Sequence, residues 1–437
     1  MSGPGGVGLS AGGGDVLDAL GRLPGGRELL TIAEARADLA VVGGAARDLL
    51  LGREPRELDV VVDGEAARLA AELASSIGEP LGERPVERPA VTIHERFGTA
   101  VVEWAAGRID IAARRAESYP APGALPQVRQ GTTAEDLARR DFTVNAISFP
   151  LAGPQRGELQ SVPHALEDLA GGRLRILHER SFLEDPTRLL RLARYQARLG
   201  FEPEQRTADL AAAALAAGAL STVSGARIGA ELRLALSEPD PLATLAALSG
   251  LGVLSAIDQR LCLERDLAQA ALTILPADGR ADLLLLATLL LGLALNTDED
   301  PGPAMLALLN GLEFNAGDRE RTVRTALAAP ALARKIAAAE RPSQLGAAVA
   351  GAPLEAVALA GAIGDREALD GARTAAQSWL GRLRRVRLAI TGEDLLAAGL
   401  PPGPQIGQRL ALALAMKLDG ELSDGREAEL RAATEGL

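Results

Sequence analysis

The chain has 437 residues, which is more than one ordinary core needs, so we expect about two to four domains. Apolar residues make up 47% and aromatic residues only 2%, which predicts aliphatic cores built from Ala- and Leu-rich helices. The single cysteine excludes an intrachain disulfide and a cysteine-based zinc cage, whereas the net charge of −12 does not exclude an RNA partner, because RNA contacts need only a local basic surface.

The N-terminal end is glycine-rich and lacks the basic and apolar regions of a signal peptide, so residues 1–14 predict a flexible tail. The most apolar run, 283–295, is shorter than the roughly 20 residues that a membrane helix needs. We interpret it as a buried helix. The low cysteine count suits a reducing compartment, and we expect a cytoplasmic protein with no membrane partner.

Short Val- and Ile-rich runs between about residues 38 and 113 predict strands, and one run has helical apolar spacing. The predicted strands are 39–42, 58–62, 100–104 and 108–112, and the predicted helix is 65–77. After about residue 165 the strand signal ends, and Ala/Leu spacing at three and four residues continues almost to the end. The pattern predicts a small α/β head, with a mixed sheet and helices, followed by an elongated all-α body.

The first strand is followed by a glycine turn and a helix. Gly43 and Gly44 would let the backbone approach a phosphate closely, and the N-terminus of the following helix favours an anion. A glycine pair after a strand is also compatible with an ordinary structural turn, which these residues alone favour.

Three carboxylates interrupt the predicted strands. Glu57 and Asp59 are two residues apart and therefore share one face, where they repel each other unless a cation lies between them. An edge strand with a solvated charged face is the alternative. Asp110 lies between two isoleucines of another predicted strand. Three such carboxylates can hold two Mg²⁺ ions, which activate a hydroxyl and stabilise a leaving oxygen in phosphoryl displacement. We therefore predict catalytic, metal-binding roles for all three.

Two long motifs follow. Arg-Arg-Asp-Phe-Thr-Val-Asn-Ala stands at residues 139–146, and Glu-Asp-Pro-Thr-Arg-Leu-Leu-Arg stands at 184–191. Together with Gly-Gly-Ala-Ala-Arg-Asp at 43–48 and Glu-Leu-Asp at 57–59, they make the chain similar to the class II tRNA nucleotidyltransferases, the family of CCA-adding enzymes and bacterial poly(A) polymerases. The resemblance covers about residues 38–250 and, less specifically, the C-terminal end.

The resemblance implies a nucleotide-binding site made from the matched motifs. The implied residues are Gly43, Gly44 and Arg47 along the triphosphate; Arg140, Asp141 and Asn145 at the ribose and phosphates; and Asp185, Arg188 and Arg191, of which the first two read the edge of the incoming base. An Arg fork beside a carboxylate offers both donors and acceptors for that purpose. Alternatively, 139–141 is only a helix-end charge cluster, and Asp185 only caps a helix.

The resemblance also implies an order of domains. A flexible tail (1–14) is followed by a nucleotidyltransferase head (15–150), a helical neck with the base-reading motif (151–260), a helical body (261–380) and a helical tail (381–437). In the tail, the Arg-rich run at 382–387 favours RNA contact and a solvated face equally. No oligomeric state is predicted.

The implied function is the addition of C and A nucleotides from CTP and ATP to the 3′ end of tRNA, which is held at its acceptor stem and elbow. Three departures from the family pattern leave alternatives open. Glu57 replaces an Asp, Ala46 replaces a Val, and residues 162–169 lack the Asp-Pro-x-Gly-Gly loop that the family uses in switching from C to A. The alternatives are an enzyme that adds only A or only CC, a poly(A) polymerase, and a catalytically impaired tRNA-binding relative.

Overall fold

A computed structural model describes residues 13–36, 38–78, 89–95, 98–294, 299–423 and 425–435. The predicted flexible tail at 1–14 lies outside these residues, except for its last two, which begin the first helix. The chain divides into two compact units, Met1–Ser224 and Gly225–Leu437. The first unit contains the strands and the second is helical, which confirms the predicted α/β head followed by a helical body.

The first unit mixes helices with short strands. Its helices are α1 (Gly13–Leu20), α2 (Gly26–Glu34), α3 (Gly43–Leu50), α4 (Ala66–Ile77), α5 (Thr133–Ala138), α6 (Ala165–Ala170), α7 (Ser181–Glu184), α8 (Arg188–Leu199) and α9 (Gln205–Ala216). Its strands are β1 (Ala40–Val42), β2 (Leu58–Val62), β3 (Ala90–His94), β4 (Thr99–Trp104), β5 (Gly107–Ala113), β6 (Arg115–Ser118), β7 (Gln127–Gln130), β8 (Ile147–Pro150), β9 (Gln160–Ser161), β10 (Arg173–Leu174) and β11 (Glu202–Pro203).

Seven strands form the main sheet, in the order β3-β4-β5-β2-β1-β8-β9. β2 and β5 pair in parallel, and every other neighbouring pair in this sheet is antiparallel. The parallel register sets Asp59 directly opposite Asp110. The other residues of β2 are buried, so the strand is held in the core while Asp59 interrupts it. The sheet therefore brings the two aspartates together.

The predicted strands and helix of the head are confirmed as β1, β2, β4, β5 and α4, each within one residue at either end. The prediction that strands end before about residue 165 is wrong, because β10 and β11 form a parallel pair. Each has only two residues, too few to show an alternating pattern. Strands β3 and β7 were missed because both are exposed along their whole length and carry no alternation of buried and exposed residues.

The second unit consists of helices. They are α10 (Gly225–Leu236), α11 (Pro241–Gly250), α12 (Val253–Ile257), α13 (Arg265–Ile274), α14 (Ala281–Leu290), α15 (Gly302–Gly311), α16 (Ala316–Ala337), α17 (Pro342–Ala348), α18 (Leu354–Arg366), α19 (Ala372–Gly381), α20 (Gly392–Ala397), α21 (Pro404–Leu418) and α22 (Arg426–Thr434).

The core of the second unit surrounds α14 and α18. Residues 283–290 of α14 are all buried, which confirms the buried helix predicted from the apolar run, as far as that run is described. Gly361 lets α18 pack closely on α19, since a Cβ there would lie 2.7 Å from Ala376 Cβ. Glu355 of α18 is buried and accepts hydrogen bonds from the Arg321 side chain at 2.8 and 2.9 Å. Nowhere in the described part of the chain is a helix both long and apolar enough to cross a membrane.

Candidate active site

The three predicted carboxylates converge at one end of the β2–β5 pair. Carboxylate oxygens of Glu57, Asp59 and Asp110 all lie within 4.8 Å of one another. Glu57 stands just before β2 and is exposed, whereas Asp59 and Asp110 are partly buried. The face that Asp59 shares with Val61 continues into a small apolar cluster on the same sheet. The acids thus form a charged cluster at the end of two strands whose other residues are mostly apolar.

The glycine turn lies against Asp59. Gly43 begins α3 with a left-handed φ of 67°, and α3 has no side-chain cap from its own N-cap residue, Val42. The backbone N–H of Ala45 in the first turn of α3 donates a hydrogen bond to Asp59 instead. Carbon atoms added at Gly43 and Gly44 would stand 3.4 and 3.5 Å from Asp59 Oδ2. The absence of side chains at the turn therefore keeps the acid and the helix N-terminus in contact.

Mutual repulsion shows in the proton affinities of the acids. Burial and then the charge of Glu57 raise the pKa of Asp59 to about 6, although Arg140 opposes the change. Partial burial, followed by the charge of Asp110, raises the pKa of Glu57. Like charges at this separation stabilise the protonated forms unless a cation compensates them. The site is therefore one that a cation stabilises.

A hard divalent cation fits the donor set. Among the described residues, the cluster offers three carboxylate oxygens and neither histidine nor cysteine. Oxygen-only ligand sets suit Mg²⁺ and similar ions, whereas zinc sites usually include nitrogen or sulfur. The chemistry of the donors and the raised pKa of two of them agree with the predicted metal-binding role.

Arg140 lies beside the acids and is almost buried. Its Nη1 atom is 2.7 Å from where a Cβ on Gly43 would stand, and its Nη2 donates to Asp136 at 2.9 Å. Its Nε is buried without a hydrogen-bond partner among the described residues. An unsatisfied buried donor of a charged group is costly unless a ligand meets it. The guanidinium group as a whole lies beside Asp59 and adds positive charge next to the acids.

Asp136, which the sequence analysis did not single out, holds the Arg pair in place. Burial would raise the pKa of Asp136, but ion pairs with Arg140 and Arg139 outweigh burial and lower it. Arg139 also donates to the buried Glu117 at 3.0 Å. The spacing of Asp136 three and four residues before the arginines was the available signal, because such residues are neighbours at a helix end. The charge cluster at the end of α5 therefore stabilises the fold, and its Arg140 also lies next to the acids.

A second, buried network joins the two long motifs. Arg47, 1% exposed, donates to Asn145 Oδ1 at 2.6 Å, and Asn145 donates to Asp141 Oδ1 at 2.9 Å. Arg191 of α8 donates to Asp141 Oδ2 at 2.8 and 2.6 Å. Burial of Asp141 opposes its charge, but Arg191 and Asn145 lower its pKa to about 2. The ring of Tyr195 lies under both Arg47 and Arg191, with centroid distances of 5.6 and 5.8 Å.

This network changes the interpretation of several predicted contacts. Arg47 and Asn145 were expected to reach the nucleotide, but in this structure both side chains are buried and bonded to each other. Asp141 is only 6% exposed, and it also accepts from the backbone N–H of Phe142 at 2.8 Å. The sequence motif showed which residues belong together but not which of them face the solvent.

The predicted base-reading pair lies at the start of α8. Arg188 is 4% exposed and donates to Ser181 Oγ at 2.5 Å and to the carbonyl oxygen of Arg139 at 2.7 Å. Asp185 Oδ1 accepts from the backbone N–H and hydroxyl group of Thr187 at 3.1 and 2.5 Å. The alternative interpretation of Asp185 as the cap of a helix start is wrong, because Asp185 is the C-cap residue of α7 and the N-cap residue of α8 is Thr187; the bonds from Thr187 hold the turn between the two helices. The Arg139 contact links this pair to the end of α5.

In the second unit, two acids of the C-terminal end that resembles the family, Asp394 of the motif Gly-Glu-Asp-Leu (392–395) and Asp419 of the motif Asp-Gly (419–420), have structural partners. Asp394 forms a capping box with Thr391 at the start of α20. Asp419 accepts from the backbone N–H and the hydroxyl group of Ser343 at 2.8 and 2.7 Å. In the Arg-rich run, Arg384 pairs with Asp278, whereas the arginines at 382, 385 and 387 are exposed. The motif acids thus serve the fold of the tail.

Comparisons with known proteins agree with this geometry. Residues 39–175 match the family described as the poly A polymerase head domain. The A-adding tRNA nucleotidyltransferase of Geobacter sulfurreducens is 32% identical over 92% of this chain and 45% of its own length, so the chain spans about half of that relative. The CC-adding tRNA nucleotidyltransferase of Deinococcus radiodurans is 34% identical over 90% of this chain and 89% of its own. A CCA-adding enzyme solved with CTP superimposes with a TM-score of 0.72 at 25% identity, covering 97% of this chain and 98% of that one.

The substitution Gly43→Ala tests the close contact at the turn. The added Cβ meets Arg140 Nη1 at 2.7 Å and the residue keeps its left-handed φ, so we expect Arg140 to be displaced and CTP affinity to fall roughly tenfold. Gly200→Ala is the matched control, because φ there is 69° and no heavy atom lies within 4 Å of the added carbon. Both variants should lose about 1 kcal/mol of stability. Equal CTP affinity in the two variants, measured by calorimetry, would show that the contact is unimportant.

The substitution Asp59→Asn tests the repulsion among the acids in metal-free protein. The folded-state pKa of about 6 exceeds the ordinary value of 3.8, so proton binding by Asp59 stabilises the fold below about pH 4, and this stabilisation is lost as pH rises through 6. Asn carries no charge to repel. We expect the variant to gain about 1–3 kcal/mol over the wild type between pH 5 and 8 in urea unfolding with EDTA. If the difference in unfolding free energy between the variant and the wild type does not change with pH, the pKa of Asp59 is not raised in the folded protein.

Proposed function

The chain belongs to the tRNA nucleotidyltransferase family, and from this premise we propose that it adds C and A nucleotides from CTP and ATP to the 3′ end of tRNA without a template. The observation that carries the proposal is the convergence of Glu57, Asp59 and Asp110 beside Arg140, whose buried Nε lacks a partner among the described residues. Acidic metal ligands next to an arginine suit a nucleoside triphosphate, which brings negative phosphates and binds with a divalent ion.

In this proposal the acids hold the divalent ions, with Mg²⁺ as the cofactor. When bound, two such ions supply positive charge that lowers the pKa of the tRNA 3′-hydroxyl group and stabilises the departing pyrophosphate. Asp59 is kept in place by the N–H of Ala45, and Asp110 by its register with Asp59 on the sheet. Glu57 retains the charge of the usual Asp on a longer side chain, and its exposure leaves it room to adjust.

Arg140 orients the triphosphate. Its Nη1 lies against Gly43, next to Asp59, so the guanidinium group is close to the carboxylates at which a triphosphate would meet the metal ions. Asp136 fixes the guanidinium group from the opposite side. We propose positioning roles for the buried Arg47, Asn145, Asp141 and Arg191, which hold residues 139–146 against α3 and α8.

Asp185 and Arg188 read the base edge in this proposal. The two bonds from Arg188 to Ser181 and to the Arg139 carbonyl use two of its five N–H donors and fix the plane of the fork. A fixed fork beside a carboxylate presents donors and an acceptor in one direction, which is what discrimination between base edges requires. The bond from Arg188 to the Arg139 carbonyl supports this proposal, because it connects the proposed base-reading residue to the segment that carries Arg140.

A second candidate is an enzyme that makes only part of the CCA end. Two relatives that match most of this chain are named as A-adding and CC-adding enzymes, and residues 162–169 lack the loop expected for switching from C to A. These observations leave the chemistry unchanged and alter only which nucleotides are joined. The proposed RNA contact of the tail, through the exposed arginines of 382–387, is common to both candidates.

Incorporation into tRNA transcripts tests the proposal and separates the candidates. Transcripts that end at the discriminator base, at C or at CC are incubated with each labelled NTP and Mg²⁺. Full CCA addition, CC only, and A on the CC transcript alone identify the three specificities, and a long A tail identifies a poly(A) polymerase. Asp59→Ala should abolish incorporation, a loss of at least about 10³-fold, and leave tRNA binding intact.

Asp209→Ala is the control for that variant, because Asp209 is exposed on α9 and its side chain accepts a hydrogen bond from Gln205 of the same helix. Incorporation by Asp59→Ala at the control's rate would overturn the metal assignment. Tight tRNA binding by the wild type with no incorporation, in either Mg²⁺ or Mn²⁺, would show a binding protein instead of an enzyme.

The substitution Arg188→Lys tests base reading. Lysine keeps the charge but cannot form a planar fork, so we expect the preference for correct over incorrect NTPs to fall roughly tenfold, with a smaller change in overall rate. Arg180→Lys, at an exposed arginine just before α7, is the matched control. Misincorporation of GTP and UTP is measured in single-turnover reactions. An unchanged NTP preference would assign base reading to other residues.

A further inference from the structure

Arg108 already holds one of the proposed metal ligands. It lies on β5 two residues before Asp110, and therefore on the same face of the sheet. Its Nε donates to Asp110 Oδ1 at 2.9 Å and its Nη2 to Oδ2 at 3.2 Å, so the guanidinium group covers both carboxylate oxygens. Nε is also 3.7 Å from Glu57 Oε2. A divalent ion that binds through Asp110 therefore competes with this arginine for the same two oxygens.

The sheet provides a second partner for the displaced side chain. In the antiparallel register of β4 and β5, Glu103 is directly opposite Arg108, as Val101 is opposite Asp110. Residues directly opposite in such a pair point to the same face, with Cβ atoms roughly 5 Å apart, and opposite charges there attract. Glu103 is exposed and the Arg108 side chain is 44% exposed, so rotation between the two acids is not hindered by packing.

We propose that Arg108 is an exchangeable counter-ion of the acidic site: it neutralises Asp110 and Glu57 in the metal-free protein, and moves to Glu103 when a divalent ion binds. The inference rests on the proposed function, because it assumes that the three carboxylates bind metal. Exposed ion pairs are weak, so the exchange costs little, yet it sets how tightly the ion is held. Arg108 and Glu103 are thus positioning residues that tune metal affinity.

Equilibrium binding of Mn²⁺ alone, without nucleotide, tests the exchange. The full-length metal-free protein is titrated and free Mn²⁺ is followed by electron paramagnetic resonance. Arg108→Gln removes the competing cation and should bind Mn²⁺ about 3- to 10-fold more tightly than the wild type. Arg108→Lys keeps the charge but cannot cover both oxygens, so its gain should be smaller. Glu103→Gln removes the alternative partner and should weaken binding about 2- to 5-fold.

A double variant separates the exchange from a general effect of charge. If Glu103 acts by receiving Arg108, Glu103→Gln has no effect on Mn²⁺ affinity once Arg108 is Gln. Equal weakening in both backgrounds would overturn the exchange, and so would Mn²⁺ binding by Arg108→Gln that is no tighter than wild type. If wild type and variants all fail to bind Mn²⁺, the proposed metal site fails and the inference with it. If they bind it equally, only the inference fails.

Discussion

The parallel pairing of β2 with β5 places Asp59 opposite Asp110, so the two carboxylates repel each other. The surrounding residues compensate for part of this repulsion. A helix N-terminus approaches from one side, where the N–H of Ala45 meets Asp59. Arg140 and Arg108 supply positive charge near the acids. The pKa of Asp59 is still raised to about 6 in the presence of these positive charges. The negative charge of the site is therefore not fully compensated, and a bound cation would stabilise it. The proposed metal binding follows from this uncompensated negative charge.

Buried ion pairs and hydrogen bonds connect the surroundings of the acidic site to segments that are distant in the sequence. Asp141 joins Arg191 of α8 to Asn145 and, through it, to Arg47 of α3, while Arg188 holds the Arg139 carbonyl. Breaking one member of such a network leaves a buried partner unpaired, which makes the whole arrangement cooperative. The residues proposed to bind the triphosphate and those proposed to read the base are therefore held in one geometry by this network.

Sequence patterns predicted the parts of this site that depend on local periodicity. The alternation in 58–62 and 108–112 located both strands and showed Asp59 and Asp110 as interruptions of buried runs. The sequence did not show which side chains of a motif are buried. Arg47 and Arg140 are both arginines next to an aspartate in a motif, yet Arg47 is bonded to Asn145 inside the unit, whereas Arg140 has a buried Nε without a partner among the described residues. Arg108 and Glu103 face each other because a two-residue turn fixes the register of the β4–β5 hairpin, and the Ala-Ala pair at 105–106 is not a sequence that signals such a turn.

The central claim is that Glu57, Asp59 and Asp110 form a metal site beside which Arg140 receives a nucleoside triphosphate. Anomalous diffraction from crystals grown with Mn²⁺ and a non-hydrolysable CTP analogue tests it most directly. The account predicts anomalous peaks within coordination distance of the Asp59 and Asp110 carboxylates, with phosphate oxygens bonded to the Arg140 guanidinium group. A nucleotide bound elsewhere, or manganese peaks only at other carboxylates, would contradict it.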